Sequence, residues 1–461
     1  PFTAVRSIHG LLARFQREPG GARDLVRATW RDQWGEQGFE ARWKDALHRG
    51  FVDGSAAPFV MPGIANRNIR IGGEHASTGL TAIVRPDPTV WDGRFANNAW
   101  LQELPKPISK VSWTNVVAVS PSLAQDRGLA NGDRVTVTAG ANAIVGAVWI
   151  VPGQEARTIA LTLGYGRGPA TGIGAGLGYN AVLLQEEGRL WQIADVALAP
   201  TGARETVPTN QVDHAMDGFD FVRTVDGPEQ RPSVPSVAPA SFYPERKWDS
   251  PSWGMSIDLD LCIGCNACVV ACVAENNIPV VGRELVAEGR AMHWLRIDHY
   301  TLGDAADPKV DFQPGPCMHC EQAPCEMGCP VNATVHSSDG LNLQVYNRCI
   351  GTRTCAAYCP YKVRRFNWFD FTGDDPDSIQ AMRNPDVTVR QRGVMEKCTY
   401  CVQRIREARI AADIANRDIA DGEVVTACQQ ACPAQAIVFG NILDPGAEVA
   451  RRKADSRDYA L

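Results

Sequence analysis

Along the first 75 residues apolar side chains recur three and four positions apart, in AVRSIHGLLARFQ (4–16) and FEARWKDALHRGF (39–51), the period of helices that bury one face. From about residue 88 the period shortens to two or gives way to short apolar runs. NVVAVS, DRVTVTA, AIVGAVWIV, TIALTLGYG, NAVLLQ and WQIADVAL are rich in Val, Ile and Thr and predict the strands of a compact β-rich domain up to about residue 200. Between the first two, SPSLAQDRGLANGD predicts one short helix, with Ser120 as cap, Pro121 in its first position and Gly128 as its stop, before Asn131-Gly132 turns the chain. The glycine-rich LGYGRGPATGIGAGLGYN lacks the spacing and the following helix of a dinucleotide-binding turn, and predicts a loop that approaches another backbone. Residues 201–252 contain GPEQRPSVPSVAPASFYPER, a Pro- and Ser-rich run that reads as an extended linker.

A chain of 461 residues has room for two or three domains. With 44% hydrophobic and 21% charged residues and a net charge of -6, nothing favours nucleic acid or an anionic membrane surface as partner. The longest apolar stretch, AIVGAVWIVPG, is too short to span a bilayer, so membrane attachment calls for a partner subunit. The chain opens on Pro with no export signal after it, which reads as a processed or truncated start.

The cysteines change this picture. All 15 fall between Cys262 and Cys432, an odd number crowded into short runs, which argues for metal rather than a disulfide framework. Four groups can be written out: Cys262, Cys265, Cys268 and Cys272; Cys317, Cys320, Cys325 and Cys329; Cys349, Cys355 and Cys359, with Thr352 where a fourth cysteine would stand; and Cys398, Cys401, Cys428 and Cys432, whose pairs are separated by a helical stretch in VQRIREARIAADIANRD. Groups one and three share one spacing, and groups two and four share another with different insertions, so a duplicated two-group unit is expected. Three thiolates spaced by two residues let a tight loop wrap three corners of an iron-sulfur cube, and a fourth cysteine beyond reaches a different cluster. A proline after that remote cysteine opens a short turn in groups two, three and four, whereas Val273 follows Cys272.

Zinc ribbons use C-x2-C pairs but not three cysteines in a row or C-x3-C-P endings. Covalent haem needs C-x-x-C-H, and His319 lies inside its pair, as a loop residue near a cluster. Thr352 has three readings: an oxygen ligand, a corner left to water or hydroxide on a cubane, or the vacant corner of a 3Fe-4S cluster. The ligand count, and the poor match of a neutral hydroxyl to iron held by soft thiolates, favour the vacant corner. Arg348, Arg353, Lys362, Arg364 and Arg365 surround it in sequence; positive charge there raises a cluster potential, unless the five form a solvated basic loop.

Residues 253–440 resemble the four-cluster iron-sulfur subunits of molybdopterin oxidoreductases. CVVACVAENNIPVVGRELVAEGRAMHWLRID and DGEVVTACQQACPAQAIVFG are more specifically similar to the fused iron-sulfur subunit of bacterial alternative complex III. WDGRFANNAWLQELPKPISKVSWTNVVAVSPSLAQDRGLANGDRVTV resembles the C-terminal barrel domain of molybdopterin enzymes as it occurs in that fusion. The resemblance implies an α+β multidomain chain: a helical remnant over 1–87, a β-rich barrel of the molybdopterin dinucleotide-binding, double-psi type over 88–200, the linker, and a duplicated bacterial ferredoxin-like domain over 253–461. No molybdopterin is expected in the barrel.

It also implies nested partnering: 4Fe-4S clusters on Cys262, Cys265, Cys268 and Cys432, on Cys398, Cys401, Cys428 and Cys272, and on Cys317, Cys320, Cys325 and Cys359, with a 3Fe-4S cluster on Cys349, Cys355 and Cys329 beside Thr352. The implied function is electron transfer from quinol, oxidised in an integral membrane partner, towards c-type cytochrome subunits. The implied location is the periplasmic face of the bacterial cytoplasmic membrane, peripheral and held by membrane subunits, with any export signal upstream of Pro1. The second implied function is the iron-sulfur subunit of a polysulfide reductase-like enzyme, feeding electrons from quinol to a working molybdenum site. A third reading makes the clusters structural parts of an assembly scaffold.

Overall fold

A computed structural model describes residues 7–17, 20–61, 63, 79–168, 172–188, 190–219, 222–224, 244, 246–248 and 251–459. Two compact units divide the chain at His75 and Ala76. The first holds α1 (Ile8–Phe15), α2 (Ala22–Trp34) and α3 (Phe39–Arg49). Phe39 and Trp43 are its buried aromatics, stacked at 6.0 Å, with the Arg31 guanidinium 4.6 Å from the Phe39 ring.

The second unit opens with a closed barrel. Its strands are β1 (Leu80–Arg85), β2 (Val117–Val119), β3 (Asp133–Ala139), β4 (Asn142–Ile150), β5 (Thr158–Thr162) and β6 (Gln192–Arg204), in the order β1-β5-β2-β4-β3-β6. The pairs β1 with β5 and β2 with β4 are parallel and the others antiparallel. Alternation builds the core: Val135, Val137 and Ala139 point inward along β3 to meet Ile144, Val148, Ile159 and Leu161. Strand β1 begins before residue 88, inside the stretch read as helical. Its alternation is masked because Ile83, 36% exposed, lies on the outer face between buried Ala82 and Val84.

Two short helices sit between β1 and β3: α4 (Ala99–Glu103) and α5 (Pro121–Arg127). The second forms as expected, with Ser120 Oγ accepting from the Leu123 N–H at 3.0 Å and Gly128 left-handed at φ 61°. NAVLLQ does not form a strand. Asn180 Oδ1 accepts from the Val182 N–H and starts a 3-10 turn over Ala181–Leu184, so Ala181 and Leu184 face the core while Val182 and Leu183 face solvent. The glycine-rich loop makes its close approach here: a Cβ on Gly166 would stand 2.1 Å from the Asn180 nitrogen. The Pro- and Ser-rich run falls mainly outside the described residues. Residues just before it pack along the fold, since Gln211 Nε2 donates to the His299 carbonyl and the Ser112 N–H donates to that of Pro208.

The cysteine-bearing region is assembled from small pieces. In chain order they are β7 (Trp253–Ile257), α6 (Ala267–Glu275), α7 (Arg283–Ala287), β8 (Arg296–Leu302) and β9 (Lys309–Gly315). Then come α8 (Pro324–Met327), β10 (Thr334–His336), β11 (Asn342–Gln344), α9 (Thr354–Tyr358), β12 (Arg365–Phe366) and α10 (Asp377–Gln380). The last are β13 (Met395–Glu396), α11 (Val402–Ile414), α12 (Ala427–Gln430), β14 (Ile437–Asn441) and α13 (Glu448–Lys453). The strands pair only two by two, and β7 joins β14 so that the ends of the region meet. No helix among the described residues is long and apolar enough to cross a membrane.

The seam with the barrel is polar and specific. Glu103 is 2% exposed and accepts from the N–H groups of Val281 and Gly282 at 2.9 and 2.8 Å and from Trp113 Nε1. Asn266, inside the first cysteine group, donates to the Pro105 carbonyl at 2.7 Å.

Candidate metal centres

The four cysteine groups share one backbone device. The second residue after each leading cysteine is left-handed: Gly264 (φ 64°), His319 (46°), Gly351 (76°) and Tyr400 (53°). Groups one, three and four carry a second, Asn266, Arg353 and Cys401, which serve as the residues before α6, α9 and α11. The same left-handed position thus recurs in all four groups. At the remote cysteines another turn repeats. Asn332, Lys362 and Gln435 are left-handed three residues after Cys329, Cys359 and Cys432, each preceded by the C-P dipeptide. The turn brings the N–H of Ala333 to Cys329 Sγ at 3.2 Å and that of Ala436 to Cys432 Sγ at 3.3 Å. After Cys272, where Val replaces Pro, α6 continues instead, and the Asn276 side-chain amide one turn on lies 3.6 Å from the sulfur.

All 15 thiols are free, and burial with neighbouring thiols raises several of them. Burial, then Cys428, Cys265, Cys262 and Cys432, push the Cys268 thiol up, and burial, Cys265 and Cys432 among others raise Cys262. Burial and the thiols of Cys398, Cys401 and Cys428 raise Cys272. Burial with Cys317, Cys325 and Cys359 pushes Cys320 up to about 11. Burial raises Cys355 against the pull of Arg364, with Cys325, Cys349 and Cys329 adding to the rise. Thiols of different groups also influence one another: Cys428 raises Cys268, Cys317 raises Cys398, and Cys325 raises Cys355. Cys265 and Thr352 are both exposed. Cys329, Cys349, Cys355 and Thr352 line one small cavity.

This donor set suits iron-sulfur clusters. Buried thiols that repel one another become thiolates only when positive charge enters among them, and N–H donors aimed at sulfur favour that charged state. Among the described residues no three Cys, His, Asp or Glu side chains close on one metal ion, as a zinc site with bonds of about 2.3 Å requires.

The five basic residues near Thr352 divide. Arg364 is buried and donates to Cys325 Sγ at 3.0 Å, Asn342 Oδ1 at 2.8 Å and Gln344 Oε1 at 2.8 Å. Its charge also lowers Cys355 and Cys329, so it serves thiols of the second and third cysteine groups together. Arg365 donates to the His293 carbonyl, and burial pushes it down to about 10. Lys362 binds the Ala357 carbonyl, Arg348 reaches that of Asn332, and Arg353 lies 4.3 Å over the Trp368 ring. His319 is buried against Tyr400 at 4.0 Å, its Nδ1 accepting from the Asn342 N–H.

Two charged residues that the sequence did not single out lie near the cysteine groups. Lys397 is fully buried and donates to the Cys398 carbonyl at 2.7 Å. Lys110, from the barrel side, is pushed down to about 8 by burial, against Asp298, Cys262 and Cys268. The adjacency of Lys397 to Cys398 was a usable signal; nothing local marks Lys110.

Residues 261–333 and 308–372 each match a family described as a 4Fe-4S dicluster domain. The chain is 45% identical over 201 residues to the menaquinone reductase iron-sulfur cluster-binding subunit of Nitratidesulfovibrio vulgaris, covering 42% of this chain and 76% of that one. It is 35% identical to a putative dimethyl sulfoxide reductase iron-sulfur subunit of Halobacterium salinarum, covering 46% and 74%. It is also 35% identical to the Hdr-like menaquinol oxidoreductase iron-sulfur subunit 1 of Archaeoglobus fulgidus, covering 45% and 77%.

Proposed function

Since the chain belongs to the family of iron-sulfur cluster-binding subunits of oxidoreductases, we propose that it is the electron-transfer subunit of a quinol-oxidising respiratory complex of the alternative complex III type. The observation that carries this reading is the packing of thiols from different cysteine groups against one another, Cys272 with Cys317, Cys359 and Cys398, Cys268 with Cys428 and Cys432, and Cys325 with Cys355. When bound, each cluster supplies a one-electron carrier. Cys262, Cys265, Cys268 and Cys432 hold the first 4Fe-4S cluster; Cys272, Cys398, Cys401 and Cys428 the second; Cys317, Cys320, Cys325 and Cys359 the third; and Cys329, Cys349 and Cys355 a 3Fe-4S cluster with Thr352 at the vacant corner.

The residues around the fourth set suit electron entry. Arg364 places a buried positive charge and a hydrogen bond beside the thiols, which favours the reduced state. Ile350 and Tyr358 are exposed nearby and offer apolar contact to an integral membrane quinol-binding partner, with c-type cytochromes receiving electrons at the other end. The complex lies on the periplasmic face of the membrane. The barrel, with its two parallel strand pairs, is of the double-psi, molybdopterin dinucleotide-binding type and acts as a scaffold without cofactor; the absence of any cysteine before Cys262 is in keeping with that.

The second reading, an iron-sulfur subunit serving a molybdenum enzyme, is favoured by relatives named as dimethyl sulfoxide, selenate and arsenate reductase subunits. Molybdenum bound stoichiometrically to the purified complex would select it. The electron-transfer reading is tested by a redox titration followed by electron paramagnetic resonance. About 15 iron atoms per chain, three cubanes plus three, and an oxidised 3Fe-4S signal are expected. Thr352→Cys converts that signal towards a cubane of lower potential, and an unchanged spectrum would remove the vacant-corner assignment.

A further inference from the structure

Lys110 is 2% exposed, and its Nζ has no hydrogen-bond partner among the described residues. Its backbone is left-handed at φ 57°, a costly conformation for a long side chain. It is held there by Lys110 N donating to the Lys106 carbonyl and by Thr209 Oγ1 and the Asn210 N–H both donating to the Lys110 carbonyl. The Nζ lies 5.7 Å from the Phe312 ring, and Phe312 in turn packs on the first cysteine loop, 2.4 Å from where a Cβ on Gly264 would stand.

The charged and titratable groups facing Lys110 are Asp298, Cys262, Cys268, His214 and His299. The Asp298 carboxylate is already in a 2.8 Å pair with Arg296, and the two histidines face each other, Nδ1 to Nδ1 at 3.1 Å. A buried ammonium without a partner is costly, and the uncommitted negative charge within its reach is the sulfur cage of the first cysteine group.

We propose that Lys110 is a positioning residue through which the barrel sets the potential of the first cluster. This rests on the reading of Cys262, Cys265, Cys268 and Cys432 as that cluster's ligands. Reduction adds one negative charge to the cage, and a fixed cation behind Phe312 stabilises the added charge. The barrel then has an electrical role in the wire although it holds no carrier.

The test is a redox titration of the full-length, cluster-loaded protein, read by electron paramagnetic resonance. Lys110→Met should lower one 4Fe-4S midpoint by about tenfold in the reduction equilibrium, about 59 mV for one electron, leaving the 3Fe-4S midpoint in place. Lys110→Arg, which keeps the charge, should stay near the parent. If Lys110→Met loses iron, Lys110→Gln reads the same shift. Unchanged midpoints in the neutral variant, an equal shift of all four, or a shift in Lys110→Arg as large as in Lys110→Met would overturn the inference. A parent protein with redox-active clusters and no response to Lys110→Met defeats this inference alone, whereas a parent with no reducible cluster defeats the electron-transfer reading beneath it.

Discussion

The barrel and the cysteine-bearing region are built on opposite terms. The barrel closes six strands, up to 13 residues long, around a core mainly of Val, Ile, Leu and Ala. The cysteine-bearing region has strands of two to seven residues paired only two by two, and most of its helices hold four to six residues. Isolated two-stranded pieces and single helical turns are marginal in water. Much of its core is cysteine sulfur and aromatic ring: Cys272, Cys317, Cys359 and Cys398 pack with Trp253, Trp294, Tyr400 and Phe439. Hydrophobic burial organises the first region, and ligation completes the second.

Removing iron should break this comparison most severely. Chelation under reducing conditions should collapse amide hydrogen-exchange protection across residues 253–459, because the free energy of cluster binding is there also folding free energy. Protection of β1 to β6 should persist. Simultaneous loss in both regions would show that the barrel leans on the clusters for its fold.

The second perturbation strikes a buried ion pair of the cysteine-bearing region. Arg390 and Glu396 form an ion pair at 2.8 Å whose side chains are both fully buried, and Trp294 Nε1 and Asn367 Nδ2 donate to the same carboxylate. Glu396→Ala strands the guanidinium and should cost about 3–5 kcal/mol. Denaturant melts monitored by Trp294 fluorescence would report it, with barrel exchange unchanged.

The seam gives the smallest and most graded effect. Burial pushes Glu103 up to about 7, against the pull of the Gly282 and Val281 N–H groups and Trp113. Between the ordinary value of 4.5 and about 7 the folded chain therefore binds a proton that the unfolded chain has released. Stability contributed by this group is complete below that window and is lost as pH rises through it, by at most about 3 kcal/mol. Glu103→Gln should flatten this slope in protection of residues 281–282 measured from pH 4.5 to 7. An unaltered slope would place the pH dependence elsewhere.

What was legible in the chain follows from locality. The Ser120 cap, the Gly128 stop and the alternation of β3 act within a few residues, and they appear where expected. NAVLLQ misled because a run of four apolar residues satisfies a strand or a turn equally, and the Asn180 side chain settled it as a turn. The basic cluster near Thr352 was visible as composition, yet only Arg364 of the five points into sulfur, because its neighbours were claimed by carbonyls and by Trp368.

The sequence by itself determined the chemistry: fifteen thiols, their loop spacing, and one position where threonine stands for cysteine. Spacing acts through backbone turns, so it dictates which sulfurs share a loop. Only the tertiary structure decided the approach of Glu103 to the Val281 and Gly282 N–H groups, of Lys110 to Phe312, and of remote thiols such as Cys272 and Cys398 into one core. Those contacts join residues dozens to hundreds of positions apart, and no local rule of backbone geometry or charge reaches that far; they exist because the pieces pack together.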